Sequence, residues 1–397
     1  MSATHVPSLE IDPFADEFLT DPYPHFAAMR EVGPIVHLGR YDIWAMARHA
    51  ELAAILTNWE AFSSARGVGL SDFAKETPWR PPSIVLEVDP PLHSKTHAAL
   101  MKVLSPAALQ AFRDTLASAA EEIVDDVLAR SNVDGVTDIA SAFPLRVFPD
   151  AVGVRPDGRE KLLLYGNMVF NAFGPRNERL ERSLAELRPV TGWIDEACER
   201  GRLSPEGIGA HLYALADAGD ITVPEAALLV RSLLAAGLDT TVSAIGNALF
   251  CFARFPDQWA VLRDDPSLAR NAFDEACRFE SPVQTFFRTT TCNVEIGGAT
   301  IDEGSKILMF LASANRDPRR WENADVFDIR RRTGGHLGFG HGIHRCVGEM
   351  FAKLEGEALL AALARRVKSI AFAGEPVQRL NNTLRCFAKL PLVVEAA

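Results

Sequence analysis

Several things are missing from this chain, and each absence narrows what it can be. No apolar run opens it: Met1 to Asp12 is polar, so neither a signal-peptide core nor a leading membrane anchor is expected, and residues 1–12 are expected to be poorly ordered. Positive charge is in deficit, with 41 Lys and Arg against 52 Asp and Glu and a net charge of −11, which argues against nucleic acid and anionic membrane surfaces as partners. No Gly/Ser-rich or Pro-rich linker and no low-complexity tract divides the sequence, so residues 1–397 are expected to form a single unit. The six cysteines, at 198, 251, 277, 292, 346 and 386, follow no disulfide spacing, which fits reduced thiols and a cytoplasmic location.

What is present is a large apolar fraction, 48%, with 23% charged residues, enough for a substantial core. One stretch stands out, Phe339-Gly340-His341-Gly342-Ile343-His344-Arg345-Cys346-Val347-Gly348. Its glycines allow tight turns and close approach to a flat partner, and Glu349 to Leu360 reads as an amphipathic helix beginning just after the cysteine. A helix N-terminus and nearby backbone N–H groups lower a thiol's pKa, so Cys346 is expected as a thiolate, the form that binds metals. A dinucleotide-binding loop is excluded because its third glycine would fall on Ile343, and a zinc site because too few cysteines lie nearby.

Phe-x-x-Gly-x-x-x-Cys-x-Gly, with His344 and Arg345 before the cysteine, resembles the haem-binding loop of the cytochrome P450 family. The resemblance implies a mainly α fold with small β-sheets, a triangular helical prism that holds haem b between a long central helix and the cysteine-loop helix. It also implies that Cys346 is the iron ligand, with Phe339, Gly340, His344 and Gly348 lining the cofactor. The long pattern Val223 to Arg254, with Thr222 as N-cap and Pro224 in the first turn, is the expected central helix. Within it Ala236-Gly237-Leu238-Asp239-Thr240-Thr241 resembles the family's oxygen-binding motif, and a kink or widened turn is expected there. Asp239 and Thr240 then become the catalytic acid–alcohol pair that delivers protons to oxygen, with Gly237 against the cofactor.

Other landmarks follow the same family order. Asp89-Pro90-Pro91-Leu92-His93 opens a helix whose His93 and His97 are assigned to a haem propionate, with His97 standing where relatives usually have Arg; Arg288 is assigned likewise. Glu275-x-x-Arg278 resembles the family's buried brace, whose third partner, commonly an arginine just before Phe-Asp, is replaced here by Val326. Helices are expected around His25 to Glu31, His49 to Leu56, Ala107 to Arg130, Arg159 to Cys198 and from Ala269, with a hairpin at Pro34 to His37 and Trp44 to Ala47, and strands at Val294 to Ile296, Lys306 to Phe310 and Lys389 to Val394.

Ser232, Ala236 and Thr240 recur at helical i, i+4 and i+8, which puts Ser232 roughly 12 Å along the axis from Thr240 and suits an elongated acid. A carboxylate held by Ser232, Ser83 and Arg80, with Tyr165 and Arg231 nearby, would aim its far end at the iron. Together with Leu86, Phe170, Phe173, Val283 and Phe286, these residues resemble the bacterial branch that oxidises para-substituted benzoates, and imply O-demethylation of 4-methoxybenzoate by a monooxygenase using O₂. A terpenoid or fatty-acid hydroxylase, a peroxide-using enzyme and a haem sensor are the alternatives. Electrons are expected from NADH through a flavoprotein ferredoxin reductase and a [2Fe–2S] ferredoxin, docking beside Arg345 and Lys353 of a monomer.

Overall fold

The computed structural model describes residues 6–78, 80–130 and 132–397. At its centre lies the stretch Val223–Arg254, long and apolar enough to cross a membrane but largely buried inside the molecule instead. It is two helices in line, Val223–Ala236 and Asp239–Arg254. A capping box starts the first: Thr222 Oγ1 accepts from Glu225 N at 3.3 Å while Glu225 Oε2 accepts from Thr222 N at 2.6 Å.

The break at Gly237 and Leu238 has local causes. A Cβ on Gly237 would sit 2.3 Å from the Phe148 ring, so only glycine lets the two elements approach. Three hydroxyls bond back along the helix, Thr240 to Ala236 O at 2.7 Å, Thr241 to Gly237 O at 3.1 Å and Ser243 to Asp239 O at 2.7 Å, and such back-bonding bends helices. The single helix expected from the sequence is thus interrupted for two residues, at the kink its motif foretold.

Around this pair pack the roof helix Lys161–Asn171, the helix Ala269–Phe279 and the cysteine-loop helix Glu349–Arg366. The pattern read as continuous over 107–130 divides into Pro106–Gln110 and Arg113–Leu128, and that over 159–198 into Lys161–Asn171, Glu178–Leu187 and Thr191–Ala197. Gly174-Pro175 ends the roof segment, because proline cannot donate the next helical hydrogen bond. To one side lies a six-stranded sheet in the order Ser8–Leu9, Val36–Leu38, Ile43–Met46, Lys306–Phe310, Thr285–Thr290, Phe62–Ser63. Its hairpin Val36–Leu38/Ile43–Met46 and the strands Val294–Ile296 and Lys306–Phe310 fall where alternation placed them, whereas the run at 389–394 divides at Leu390 between Arg385–Lys389 and Pro391–Ala396.

The N-terminal expectation needs correction. Residues 1–5 lie outside the described part, but Ser8–Leu9 pairs in parallel with Val36–Leu38, and Leu9 and Ile11 pack on the apolar cluster around Phe14 and Phe26. Burying those side chains ties down a segment that composition alone makes look loose.

The Glu275-x-x-Arg278 brace is fully buried, with Arg278 donating to Glu275 at 2.7 and 2.8 Å. Its missing third member is Arg331, which follows Phe327-Asp328 rather than preceding it and reaches Glu275 at 3.2 Å, beside the Asp328 N–H at 3.0 Å. Arg278 also donates to Asn315 O at 2.7 Å, and Asn315 accepts from Leu337 N at 2.6 Å. One buried ion pair therefore fixes the first residue before the glycine-rich loop.

Candidate active site

The break in the central helix, the cysteine loop, the roof helix and the segment 80–97 enclose a cavity of ≈ 270 Å³. Cys346 comes to it from the loop, its backbone held by a bond to Phe339 O at 2.9 Å. The sulfur is open to the cavity although protein surrounds it, whereas Cys277, which also borders the cavity, is buried. Burial pushes the Cys346 thiol up to about 11, outweighing the N–H groups of Gly348 and Glu349 that lower it. The two N–H groups act in the direction the loop implies, and a bound cation would add to them in favouring the thiolate.

At the lower rim three histidines cluster, with the His93 ring 4.4 Å from His344 and 5.2 Å from His97. His93 Nε2 and both ring nitrogens of His344 are buried without hydrogen-bond partners, and Asp89 is 3.8 Å from His344, too far for a hydrogen bond. Burial and the neighbouring His344 and His97 push His93 down to about 4, and burial lowers Arg288, which donates to Phe287 O, to about 10. Buried donors whose charged forms are penalised suit an anion brought in from outside, as the propionates of a haem would be. Gly237, Phe339, Gly340 and Gly348 line the same space. The donor set therefore fits the cofactor that the loop implies.

The residues assigned to substrate converge on the same cavity. Arg80, Ser83, Leu86, Tyr165, Phe170, Phe173, Arg231, Ser232, Ala236, Val283 and Phe286 all line the cavity. Ser83 Oγ stands 3.2 Å from Ser232 Oγ, and Ser232 also bonds to Leu228 O at 2.9 Å. Buried Tyr165 is pushed up by desolvation and lowered by the charges of Arg231 and Arg80, which places both arginines in its neighbourhood. Phe170, Phe173 and Phe286 form an edge-to-face chain with centroids 5.7 and 5.5 Å apart.

Thr240 borders this cavity, but Asp239 does not. Asp239 faces a separate hollow of ≈ 50 Å³ lined by Ser141, Ser243, Arg379 and Cys386. Its Oδ1 accepts from Arg379 at 2.6 Å, while its Oδ2 is buried and unpartnered. The acid and the alcohol thus look into two chambers separated by the broken helix.

With this geometry in hand, comparison with known proteins is informative. A cytochrome P450 family model matches residues 211–384. The chain is 56% identical over 393 residues to cytochrome p450 CYP199A2 of Rhodopseudomonas palustris, spanning 99% of this chain and 95% of the relative. This chain belongs to the cytochrome P450 family. Such a monooxygenase binds haem b through a cysteine thiolate. Among solved structures, cytochrome P450 CYP109Q5 from Chondromyces apiculatus is 33% identical with a TM-score of 0.82, covering 98% of both chains. Cytochrome P450 CREJ in complex with (4-ethylphenyl) dihydrogen phosphate is 25% identical with a TM-score of 0.88, covering 97% of this chain and 99% of that one. The mainly α P450 fold expected from the sequence is therefore the one observed.

Three parts of the site were not anticipated. Glu87, 3% exposed, accepts from Arg80 and from Ser83 N, each at 2.8 Å, so Arg80 is already charge-compensated. Arg231 is likewise paired, with Asp195. Glu355 lies fully buried on the cysteine-loop helix with both oxygens unpartnered, and burial pushes its carboxyl well up. Its in-phase position with Phe351, Leu354 and Leu359 was the available signal: a charged residue on an apolar helical face. At the expected docking face, Lys353 is engaged by Asp274 and Glu349, both at 2.8 Å, and Arg345 by Glu349 at 2.6 Å.

Proposed function

We propose that this P450 inserts one atom of O₂ into a small aromatic carboxylic acid, foremost in the oxidative O-demethylation of 4-methoxybenzoate. The observation that carries the reading is the facing hydroxyl pair of Ser83 and Ser232, set among Tyr165, Arg80 and Arg231 in the cavity. Because Glu87 and Asp195 already balance the two arginines, the anchor acts mainly through oriented donors rather than surplus charge. Phe170, Phe173 and Phe286 offer ring edges and faces that suit a flat aromatic better than a flexible chain.

Cys346 would hold a haem iron and His93, His97, His344 and Arg288 would serve its carboxylates, and the group when bound would supply the activation of O₂. The chain's residues then supply position and protons. Ser83 and Ser232 fix the carboxylate and the phenylalanines hold the ring. Thr240 presents its hydroxyl to the cavity, and Asp239 draws protons from the side of the second hollow and passes them across the helix break. Hydroxylation of the methyl gives a hemiacetal, which collapses to 4-hydroxybenzoate and formaldehyde; the other oxygen atom leaves as water with two electrons and two protons. The electrons come from NADH through a ferredoxin reductase and a [2Fe–2S] ferredoxin, to a cytoplasmic monomer whose chain is one functional unit.

Spin-state titration with 4-methoxybenzoate and with its amide tests the reading. The acid should convert the iron to high spin at concentrations at least about tenfold lower than the amide, one charge-assisted contact being worth about 1.5–3 kcal/mol. Equal binding would sink the carboxylate anchor.

A further inference from the structure

The roof helix Lys161–Asn171 and the turn after it carry Phe170 and Phe173, yet nothing described so far explains what fixes their end of the cavity. The end is held by amides. Asn171, 2% exposed, accepts from Asn382 N at 3.0 Å through its side chain, and its main-chain oxygen accepts from Asn382 Nδ2 at 2.8 Å. Asn382 and Asn177 exchange a reciprocal pair of bonds, Asn177 Nδ2 to Asn382 Oδ1 at 2.9 Å and Asn382 Nδ2 to Asn177 Oδ1 at 3.2 Å. Asn381 donates to Asn167 at 3.0 Å and accepts from Thr383 N and Leu384 N at 2.9 and 3.0 Å.

The cluster reaches the opposite wall as well. Thr383 O accepts from Gln284 N at 2.8 Å and Val283 is bridged to Leu384, so the same turn that grips the roof also sets the segment bearing Phe286. Gly174 is flush against it: a Cβ there would lie 2.5 Å from that of Asn382. Asparagine is a poor choice inside helices and strands unless its amide is used, and here the buried amides each find partners.

We propose that Asn171, Asn177, Asn381 and Asn382 are positioning residues that latch the roof to the far wall. By holding Phe173 at its present distance from Phe286, the latch, and not the phenylalanines alone, sets the cavity's preference for flat over bulky rings. No carboxylate or arginine takes part, so the inference stands apart from the acid anchor.

The test uses the haem-loaded enzyme and two neutral iron-binding probes, flat 4-phenylimidazole and non-planar 4-cyclohexylimidazole, with dissociation constants read from the shift of the haem absorption band. Asn382→Ala removes the central donor; Asn177→Asp keeps the acceptor that caps Leu180 N but sets two acceptor oxygens face to face. In the wild type the flat probe should bind more tightly, and in both variants the ratio of the two constants should fall about tenfold. Asn271→Ala is the control, removing an amide that bonds Ile329 O and Arg331 O away from the roof, and should leave the ratio unchanged while lowering stability. A ratio unmoved in Asn177→Asp, or moved equally in Asn271→Ala, overturns the proposal. Failure of 4-methoxybenzoate to bind would refute the acid anchor without touching this result.

Discussion

Replacing Arg379 by methionine is a sharp test of how Asp239 is held. In the native chain Arg379 meets Asp239 at 2.6 Å, and Asp239 is 1% exposed while the arginine side chain is 30% exposed. Two unit charges about 4 Å apart attract by about 4 kcal/mol at an effective dielectric of about 20. Partial exposure of Arg379 screens some of this, so about 2–3 kcal/mol is a fair coupling. Loss of one partner from a buried pair generally costs about 3–5 kcal/mol, because the other charge stays buried. With the arginine half of this pair partly wet, Arg379→Met should therefore cost about 3 kcal/mol. Asp239→Asn, which leaves the exposed partner, should cost less, and the double variant should recover about 2 kcal/mol of the sum of the singles. Urea unfolding followed by tryptophan fluorescence, on holoprotein at fixed haem content, measures all three corners. A coupling energy below about 0.5 kcal/mol would refute the claim that this pair positions Asp239.

Other outcomes follow from residues already placed. Thr240→Ala should divert reducing equivalents to hydrogen peroxide, seen as a lower ratio of product to NADH consumed; unchanged coupling would remove Thr240 from proton delivery. Burial alone would raise the Asp274 carboxyl, but His336 at 3.0 Å and Lys353 at 2.8 Å outweigh it and hold it well below the usual carboxylate range. That depression stabilises the fold fully above the ordinary Asp pKa of about 3.9 and is lost progressively as pH falls from there towards the lower folded value, so Asp274→Asn should be less stable than wild type at pH 6 by a margin that narrows steadily below pH 4. Glu275→Ala would strand Arg278, which is 0% exposed, and should cost about 3–5 kcal/mol, whereas Arg331→Met, which leaves the two-pronged Glu275–Arg278 contact intact, should cost less than half of that in the same denaturation assay.

How much of this was legible beforehand depended on range. The Cys346 loop, the kink at Gly237 and the Thr222 cap are local: a few adjacent residues carry both signal and cause, and each was readable from spacing. The cavity-lining set was readable only because the family's order carried it; periodicity alone gives Phe170 or Tyr165 no reason to face a cavity rather than ordinary core. Partners drawn from far along the chain left no such trace. Arg379 finds Asp239 across 140 residues, and Arg331 completes the Glu275 brace from 56 residues away, on the other side of Phe327-Asp328 from where relatives put it. The balance at Cys346 is non-local for a related reason: helix-end N–H groups are visible in sequence, but the depth of burial that opposes them is set by the whole fold.

The turn at 381–384 carries a consequence for how the enzyme is made. Asn382 meets a roof residue 211 positions earlier in the chain, and Arg379 meets Asp239 across 140, so both contacts need the β-hairpin Val377–Leu380/Arg385–Lys389 in place. Fixing the roof and seating Asp239 therefore rest on contacts of high sequence separation, which form late and slowly compared with local helix contacts.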